Sequence, residues 1–415
     1  MKPNSKPLRL LFAACLAGWC GASAAAEKVQ FSAVASLGAW SGNRVLDDRN
    51  GILAPMLSAD ASVNLSEQLS VRAGGLVYHF SQDNGDDTRS ILREAFLQWS
   101  GDETQVRLGW QVVAWGRADR INPTDNISAR DYTSPQSVDE AQRMGAGMLS
   151  VAHDFGSAGR LTVLGKQVKP SRMPSDPAEE NLPLRPDGED YEYAAKFDHS
   201  GDAFDWSVSY FKGLEKPRSL QLMRIADQRI VGVNRGYAEL EVLGADAATT
   251  IGGWGLRGEI AHMRFPETDF QVNDGRISHW YGITGVETNL PANATAGVQY
   301  FFRYFDEDPQ LDGLKPAESA VRRKLRIANN QFHQYQDGLT LRLAQRLWND
   351  SVDYEIVGVV NFRDGDYAIR PRIGWRYSDS IKLSAGADIY RGKDESFFGS
   401  LRKNNVQFAE ISYIY

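Results

Sequence analysis

The stretch DYAIRPRIGWRYSDSIKLSAGADIY, residues 366–390, contains two alternating segments joined by a short polar turn. From residue 367 to residue 377 apolar side chains occupy every second position, and arginines occupy three of the positions between them. After the turn at 378–380 the alternation resumes. A period of two residues is typical of a β-strand whose two faces meet different surroundings. The stretch therefore predicts a β-hairpin with one apolar face and one charged face.

The same alternation recurs along the chain, and the connections between the segments alternate between short and long. The segments have about ten residues, which span about 25 Å when a strand rises about 3.3 Å per residue and tilts near 40°. Short turns at one end and long loops at the other are typical of a transmembrane antiparallel β-barrel. The eight short, polar connections are residues 66–67, 100–103, 156–159, 200–203, 244–247, 291–293, 349–351 and 378–380.

We predict an all-β fold over residues 27–415, a transmembrane antiparallel β-barrel of about 18 strands. Sixteen strands are the alternative, if the weaker segments at 160–168 or 233–243 are not strands. One connection, residues 364–365, is short where a long loop is due. An even strand count places both termini on the same side, which we predict to be the periplasmic side. The predicted strands are 28–40, 52–65, 68–80, 89–99, 104–115, 144–155, 160–168, 189–199, 204–212, 233–243, 248–263, 277–290, 294–305, 330–348, 352–363, 366–377, 381–390 and 405–415.

A secreted soluble β-sandwich is the main alternative fold, because its strands alternate in the same way. A membrane barrel carries aromatic girdles at both interfaces, whereas a packed core has its bulky residues nearer the strand centres. Here the aromatic residues gather near the segment ends, which favours the barrel. They are Trp40, Tyr78, Phe80, Trp99, Phe155, Trp348, Phe362, Trp375 and Tyr377.

The N-terminal segment, residues 1–26, has the features of a cleaved signal peptide. Three cations precede a largely apolar run, and small residues lie just before Glu27. The apolar run is too short for a transmembrane helix, while a faint lipoprotein box at residues 12–15 leaves lipidation as an alternative. Both cysteines, Cys15 and Cys20, lie in this segment, so the mature chain has no thiol for a disulfide or a metal site.

Composition narrows the remaining classes of function. The formal net charge is −7, and removal of the cationic leader makes the chain more acidic, which argues against nucleic-acid binding. No later stretch has the 18 or more apolar residues that a membrane helix requires. The six histidines stand in no recognisable nucleophile or metal motif, so we predict no enzyme, no cofactor and no metal site. An adhesin or an assembly scaffold is a lesser alternative.

If the apolar strand faces contact lipid, the charged faces line a lumen. An arginine on the lipid face at mid-membrane would cost about 2–4 kcal/mol, and a barrel of 16–18 strands encloses an aqueous channel. The predicted pore-lining residues are Arg72, Arg107, Lys196, Arg257, Glu259, Arg303, Arg342, Arg346, Arg370, Arg372, Arg376 and Lys382. The same rule places further carboxylates in the lumen: Asp60, Glu192, Asp205, Glu239, Glu241, Asp353, Glu355, Asp388 and Glu410.

Five of these arginines fall on two strands that are separated by one strand bearing Asp353 and Glu355. Guanidinium groups favour carboxylate, phosphate or sulfate, so this sector predicts the passage of anions or acidic sugars. Neutralisation of the arginines by the neighbouring carboxylates is the alternative.

The segments GWQVVAWGRAD, residues 109–119, and INPTD, residues 121–125, resemble a stretch of porin-like bacterial outer-membrane barrels. The chain as a whole is similar to 18-stranded channels, which include substrate-specific porins and alginate-type polysaccharide export porins. Its last strand, ending on Tyr415, resembles the signal that the barrel insertion machinery recognises. The resemblance implies a Gram-negative outer-membrane protein, monomeric or trimeric, in contact with lipid and lipopolysaccharide. Passive diffusion of small polar or anionic solutes is the leading hypothesis, and export of a polysaccharide is the alternative.

The longest loop, residues 116–143, follows the fifth predicted strand. In general porins a long loop at this place folds inward and constricts the pore, and Asn-Pro at 122–123 indicates a defined turn. By this analogy the constriction candidates are Arg117, Asp119, Arg120, Asp125, Arg130 and Asp131. A solvated surface loop is the alternative. A second long loop, 306–329, carries a basic run at 322–326, which predicts contact with lipopolysaccharide phosphates, gating of the mouth, or a solvated run.

Overall fold

The structure, a computed structural model, describes most of the chain after the predicted leader. The leader, residues 1–26, lies outside the described residues. The described ranges are 29–44, 49–81, 87–134, 139–173, 190–224, 230–266, 276–308 and 316–415.

Twenty strands, two α-helices and three short 3₁₀ helices occupy these ranges. The strands are β1 (Val29–Arg44), β2 (Arg49–Asn64), β3 (Leu69–Phe80), β4 (Asp87–Ser100), β5 (Thr104–Gln111), β6 (Ala146–Asp154), β7 (Arg160–Gln167), β8 (Tyr191–His199), β9 (Asp205–Leu214), β10 (Ser219–Arg224), β11 (Ile230–Gly236), β12 (Glu239–Ile251), β13 (Trp254–Arg264), β14 (His279–Leu290), β15 (Ala294–Phe305), β16 (Tyr335–Leu347), β17 (Val352–Asn361), β18 (Tyr367–Arg376), β19 (Ile381–Arg391) and β20 (Val406–Ile414). The α-helices are α1 (Pro316–Asn329) and α2 (Phe397–Ser400), and the 3₁₀ helices are Asp139–Gln142, Gly156–Ala158 and Arg402–Asn404.

Eighteen of the strands form one closed antiparallel sheet. Each pairs with its neighbour in sequence, except that β9 pairs with β12 because β10 and β11 form a separate hairpin between them. β20 pairs with β1 and closes the barrel, where backbone hydrogen bonds of 2.9 and 3.2 Å join Ala33 and Tyr415. The structure confirms the predicted 18-stranded barrel, and the segment at 160–168 is a wall strand, β7.

The two faces of the wall differ as the alternation predicts. In β16, Leu341 and Leu343 are exposed on the outer face, whereas the intervening Arg342 points inward and pairs with Glu355 of β17. Exposed aromatic residues lie near both ends of the outer face, as girdles at two membrane interfaces require. Those near the short turns include Trp99, Trp254, Trp348 and Trp375, and those near the opposite end include Tyr193, Tyr210, Trp280, Tyr304 and Tyr367.

The predicted turn at 244–247, and with it the predicted strand boundaries on either side, is wrong. β12 runs without interruption from Glu239 to Ile251 and pairs with both β9 and β13 along its length. The turn lies at Gly252 and Gly253, whose φ angles of 56° and 85° are favourable for glycine. Small residues and an aspartate at 244–247 are typical of a turn, but backbone pairing with β9 and β13 on either side holds this segment in the sheet.

The same correction moves Glu239 and Glu241 from the predicted lumen to the outer face. They share that face with Leu243, which is 64% exposed. The alternate positions, Leu240 and Val242, are buried inside the barrel. Apolar side chains face inward here because other parts of the chain cover them from within, which alternation alone does not reveal.

The connection between β15 and β16 contains α1, where the sequence predicted only a loop over 306–329. The helix starts at Pro316, a first-turn position where the missing N–H of proline costs no hydrogen bond. Leu325 is buried, whereas Arg323 and Lys324 of the basic run are exposed, and Arg323 pairs with Glu395 at 2.9 Å. In the part of the chain that the structure describes, no helix is both long and apolar enough to cross a bilayer.

An arginine at the centre of the outer face should destabilise the barrel in the membrane. Leu341 is 48% exposed at the middle of β16, so Leu341→Arg should lower the free energy of unfolding by about 2–4 kcal/mol. The matched control, Leu290→Arg, lies on the outer face at the end of β14 and should lower it by about 0–1 kcal/mol. Urea titration in phospholipid vesicles measures both values, and equal losses would contradict a membrane-spanning β16.

Candidate pore and constriction site

The connection between β5 and β6, residues 112–145, lies inside the barrel. It contacts inward-facing side chains of β12, β13, β15, β16 and β17, strands that lie across the barrel from β5 and β6. A loop outside the barrel does not reach the inner faces of these strands. The connection therefore crosses the lumen.

The inner part of this connection is a compact lobe, residues 116–124, whose ends meet. The backbone N–H of Trp115 donates to Asp125 Oδ1 at 3.2 Å. Just outside this contact the Ser128 hydroxyl accepts from the N–H of Val113 at 2.8 Å and donates to its carbonyl at 2.7 Å. At the far side of the lobe Arg120 has a left-handed φ of 65°. The lobe is therefore a closed loop held at its base, in the manner of an Ω-loop.

Glu259 of β13 anchors the lobe to the opposite wall. Its carboxylate accepts hydrogen bonds from the backbone N–H groups of Arg117 and Ala118 and from the Thr124 hydroxyl, the last at 3.0 Å. A Cβ at Gly116 would lie only 2.8 Å from Glu259 Oε1, and the φ of Gly116 is 93°. The close approach therefore requires glycine at this position.

Arg117 extends from the lobe into an acidic part of the wall. Its Nε donates to Asp246 Oδ1 at 2.6 Å, and its terminal nitrogens lie 3.7 Å from Asp198 and 3.6 Å from Asp205. Asp246 is buried and also accepts from the Ser207 hydroxyl. Three carboxylates thus surround one guanidinium, which fixes the side of the lobe that faces β8, β9 and β12.

Asp119 and Arg120 face the arginine-bearing side of the lumen. The Asp119 backbone exchanges hydrogen bonds of 3.1 and 2.9 Å with the Gln299 amide, and its carboxylate lies 3.6 Å from Arg342 Nε. Arg120 pairs with Glu355, which also accepts from Arg342 at 2.8 Å. Charged groups of both signs therefore line the space between the lobe and β16–β17.

The other three constriction candidates lie at the base of the connection rather than at the tip of the lobe. Asp125 pairs with Arg143 at 2.7 Å and lies 3.9 Å from Arg130. Asp131 is fully buried and accepts from the Tyr78 hydroxyl and from Arg172, both at 3.0 Å. These residues brace the connection against β3 and the β7–β8 connection.

Three apolar clusters inside the barrel hold the same connection, and the sequence analysis identified none of them. The first joins Trp115 and Ile127 to inward residues of β6–β9, β12 and β13. The second joins Ala129 and Met144 to inward residues of β1–β4 and β20. The third joins Ala118 and Ile121 of the lobe to inward residues of β14 and β15. The signal in the sequence is that the inward positions of a strand change from polar to apolar toward the long connections. In β3, for example, the inward Arg72 is followed by buried inward residues at 76, 78 and 80.

A cavity of about 1210 Å³ lies beside the lobe at the short-turn end of the barrel. Arg342, which faces the lobe, also lines this cavity, together with Arg346, Arg376 and Lys382. Its carboxylates are Asp350, Asp353 and Glu355. Within the described ranges, no group of three or more His, Cys, Asp or Glu residues is placed to hold a metal ion.

The cations of the cavity differ in whether they are neutralised. Arg342 pairs with Glu355, and Lys382 pairs with Asp353 at 3.1 Å. Arg346 and Arg376 are exposed, and neither forms an ion pair with any residue that the structure describes. The cavity thus has two guanidinium groups available to a solute.

The remaining predicted pore-lining residues are distributed around the inner wall, and most are paired. The ion pairs are Arg72 with Glu94 at 2.6 Å, Lys196 with Asp198 at 2.7 Å, Arg257 with Glu287 at 3.3 Å, and Arg370 and Arg372 with Asp388 at 2.8 and 2.6 Å. Three cations lie over aromatic rings: Arg107 is 5.5 Å from Phe96, Arg303 is 4.4 Å from Tyr281, and Arg372 is 4.8 Å from Phe408. The structure therefore divides the predicted arginine sector, because two of its five members share Asp388 as an ion-pair partner.

A buried ionic cluster lies at the long-loop end of the inner wall. Glu192 has no exposed surface and accepts from Lys166, Lys216 and the N–H of Leu214, the last at 3.0 Å. Burial, together with the neighbouring Lys166 charge, lowers the pKa of Lys216 to about 7. The sequence identified Glu192 only as one lumen carboxylate, because its partners are 26 and 24 residues distant.

Comparison with known proteins identifies the architecture. No protein-family model matches the chain, and no curated protein sequence matches it. Solved structures do match: Pseudomonas aeruginosa OccK11 (OpdR) has a TM-score of 0.55 at 12% identity and covers 93% of this chain and 95% of its own. The chain has the porin fold. Pseudomonas aeruginosa OccK5 (OpdH) covers 94% and 98% with a TM-score of 0.57 at 9% identity, and Acinetobacter baumannii OccAB1 covers 94% and 96% with a TM-score of 0.57 at 8% identity.

Removal of the Glu259 charge should loosen the lobe of this porin fold. Glu259→Gln weakens the bonds from the N–H groups of Arg117 and Ala118, and a hydrogen bond to a charged group contributes about 1.5–3 kcal/mol. We expect hydrogen exchange at these two amides to accelerate by about tenfold or more. Glu94→Gln, an inner-wall change beside Arg72, is the control and should leave both rates unchanged. Unaltered exchange in Glu259→Gln would show that other contacts hold the lobe.

Proposed function

We propose that this protein is a passive outer-membrane channel for small polar or anionic solutes. The observation that carries the proposal is the position of the lobe, residues 116–124, across a lumen with charged walls, beside a charged cavity. Arg120 of the lobe pairs with Glu355 of the wall, so a solute that enters the cavity passes charged groups of both signs. Rings of charged side chains at a narrow point are the usual basis of selectivity in polar channels.

An anion preference follows from the unpaired cations of the cavity. Arg346 and Arg376 offer planar, bidentate donors that suit carboxylate and phosphate groups. The cavity carboxylates are largely occupied, because Arg342 and Arg120 contact Glu355 while Lys382 contacts Asp353. We infer that the local potential favours anions although the whole chain is acidic.

We infer that the short turns face the periplasm and the long connections face the cell exterior, as in other outer-membrane barrels. The predicted leader, residues 1–26, and the aromatic C-terminus support secretion followed by insertion through the barrel assembly machinery. The proposed surroundings are outer-membrane lipid and lipopolysaccharide, and a monomer or a trimer is the predicted assembly. We propose no nucleic-acid partner.

Polysaccharide export and catalysis are less well supported. A polymer requires a wide continuous lumen, whereas Glu259, Asp246 and Glu355 fasten the lobe across this one. A porin fold with paired ions along its inner wall is the arrangement of a channel rather than of an enzyme.

Conductance of the purified protein in planar lipid bilayers tests the proposal. We expect a stable open pore whose reversal potential in a KCl gradient indicates a preference for chloride. Succinate added on the short-turn side should partly block the current at millimolar concentrations, because weak multi-site binding is typical of conducting channels. A protein without conductance, or one that conducts only with a polymer present, would overturn the proposal.

A further inference from the structure

A row of charged side chains lies on the outer face of the barrel at its long-loop end. Lys212 of β9, Glu241 of β12 and Arg264 of β13 are direct partners in the strand register, so they stand side by side across three adjacent strands. Their alternate neighbours Tyr210 and Leu243 are 42% and 64% exposed on the outer face. These three residues form the outer charged row.

An aromatic belt places this row relative to the membrane. Tyr210, Leu243, His262, Trp280 and Tyr304 are register partners across five strands, and their row lies next to the outer charged row on the membrane side. Aromatic belts of outer-membrane barrels lie at the headgroup level. Two further residues along a strand add about 6–7 Å. The outer charged row therefore lies in the headgroup layer, where only components of that leaflet reach it.

The cations of the row are available for binding. Lys212 is exposed and, among the described residues, has no ion pair. Arg264 pairs with Glu241 at 3.1 Å, yet its side chain is 62% exposed and keeps donors free. Lys212 and Glu241 also line a small groove with Glu239 and Pro266, so the row borders a concave surface rather than a smooth wall.

We propose that the outer charged row binds the phosphate-bearing headgroup of an outer-leaflet glycolipid, the lipid A part of lipopolysaccharide. Lys212 and Arg264 are two strands apart, about 10 Å, so each contacts a separate phosphate group. Arg264 supplies a bidentate contact and Lys212 a point charge, while Glu241 positions the Arg264 guanidinium. The inference rests on the proposed function, because only an outward-facing long-loop end reaches the outer leaflet.

Lipid binding to the purified protein in detergent, measured by native mass spectrometry, tests the site. We expect diphosphorylated lipid A to bind the unaltered protein and the Lys212→Gln, Arg264→Gln double variant to bind it about tenfold to thirtyfold more weakly, since each cation near a lipid phosphate surface contributes separately. Dephosphorylated lipid A should bind both proteins equally weakly. The matched control, Arg346→Gln with Arg376→Gln, removes two cations from the cavity and should keep full affinity.

Three outcomes would overturn the inference: unchanged affinity in the row variant, no effect of dephosphorylation, or equal binding of phosphatidylglycerol, which would indicate a general anionic surface. Conductance in planar bilayers separates this test from that of the channel. The row variant should conduct as the unaltered protein does, which also shows that it is folded. A row variant that loses lipid A yet conducts supports the site, whereas a non-conducting unaltered protein that still binds lipid A refutes only the channel.

Discussion

Excision of the lobe should raise single-channel conductance severalfold. Replacement of residues 117–124 by two glycines keeps Gly116 and Asp125, and the base of the lobe is already closed by the bond from Trp115 N–H to Asp125 at 3.2 Å. Two of the three apolar clusters that hold the connection have no member in the excised segment, whereas the third loses Ala118 and Ile121. An 18-stranded barrel encloses an aqueous channel, so removal of the segment that crosses it opens a wider path for ions. Recordings in planar bilayers at fixed salt give the comparison.

A second variant distinguishes the effect of the lobe's volume on conductance from the effect of its charge on ion selectivity. Arg117→Gln with Arg120→Gln keeps the lobe in place and removes its contacts with Asp246 and Glu355. We expect this variant to alter ion selectivity with a much smaller change in conductance. Equal conductance before and after excision would mean that ions take a path that the lobe does not narrow.

The fold was predictable because lipid and water impose opposite requirements on the two faces of a strand. Along β16–β19 the outer positions are apolar except for Asp337, Gln345 and Arg391 near strand ends, and nearly every charged side chain faces inward. Alternation therefore predicted both the strands and their faces. The assignment of apolar positions to the lipid face failed where the folded-in connection, rather than water, contacts the inner face of a strand. In β12 the inward Leu240 and Val242 pack in a cluster with Trp115 and Ile127 of the folded-in connection, and Glu239 and Glu241 lie on the outer face at the long-loop end.

The candidate site was predictable in outline but not in its contacts. Position in the chain and turn residues suggested which loop enters the barrel, yet Glu259 meets the Arg117 backbone across 142 residues of sequence. Asp246 was assigned to a turn, although it is a buried wall residue and the closest acidic partner of Arg117. Such pairs depend on the register of a closed barrel and on the path of the lobe, and neither is local in sequence.

Pairing, rather than the number of arginines, decides which cations act on a solute. Arg370 and Arg372 share Asp388 at 2.8 and 2.6 Å, so its negative charge offsets part of their field on a solute. Arg346 and Arg376 have no such partner among the described residues and face the cavity. Substitution of the first pair should therefore affect permeation far less than substitution of the second.

Reversal of the cavity charge should reverse the ion selectivity. Arg346→Glu with Arg376→Glu replaces two unpaired cations by two carboxylates beside Asp350 and Asp353. Because charges in a narrow, low-dielectric passage set the local concentration of ions, we expect the reversal potential in a KCl gradient to change sign, from a preference for chloride to a preference for potassium. Arg346→Gln with Arg376→Gln should reduce the preference without reversing it, and succinate block should weaken in both variants.

The control for charge reversal lies at the opposite end of the barrel. Arg402→Glu with Lys403→Glu changes the total charge by the same amount at exposed positions near β20, so it should leave the sign of the reversal potential unchanged. Selectivity that follows total charge, with equal shifts in both double variants, would assign the anion preference to the general field of the protein. Selectivity that follows only the Arg346 and Arg376 pair would assign it to the cavity, because exposed charges more than about 10 Å from the ion path are largely screened at 0.1 M salt.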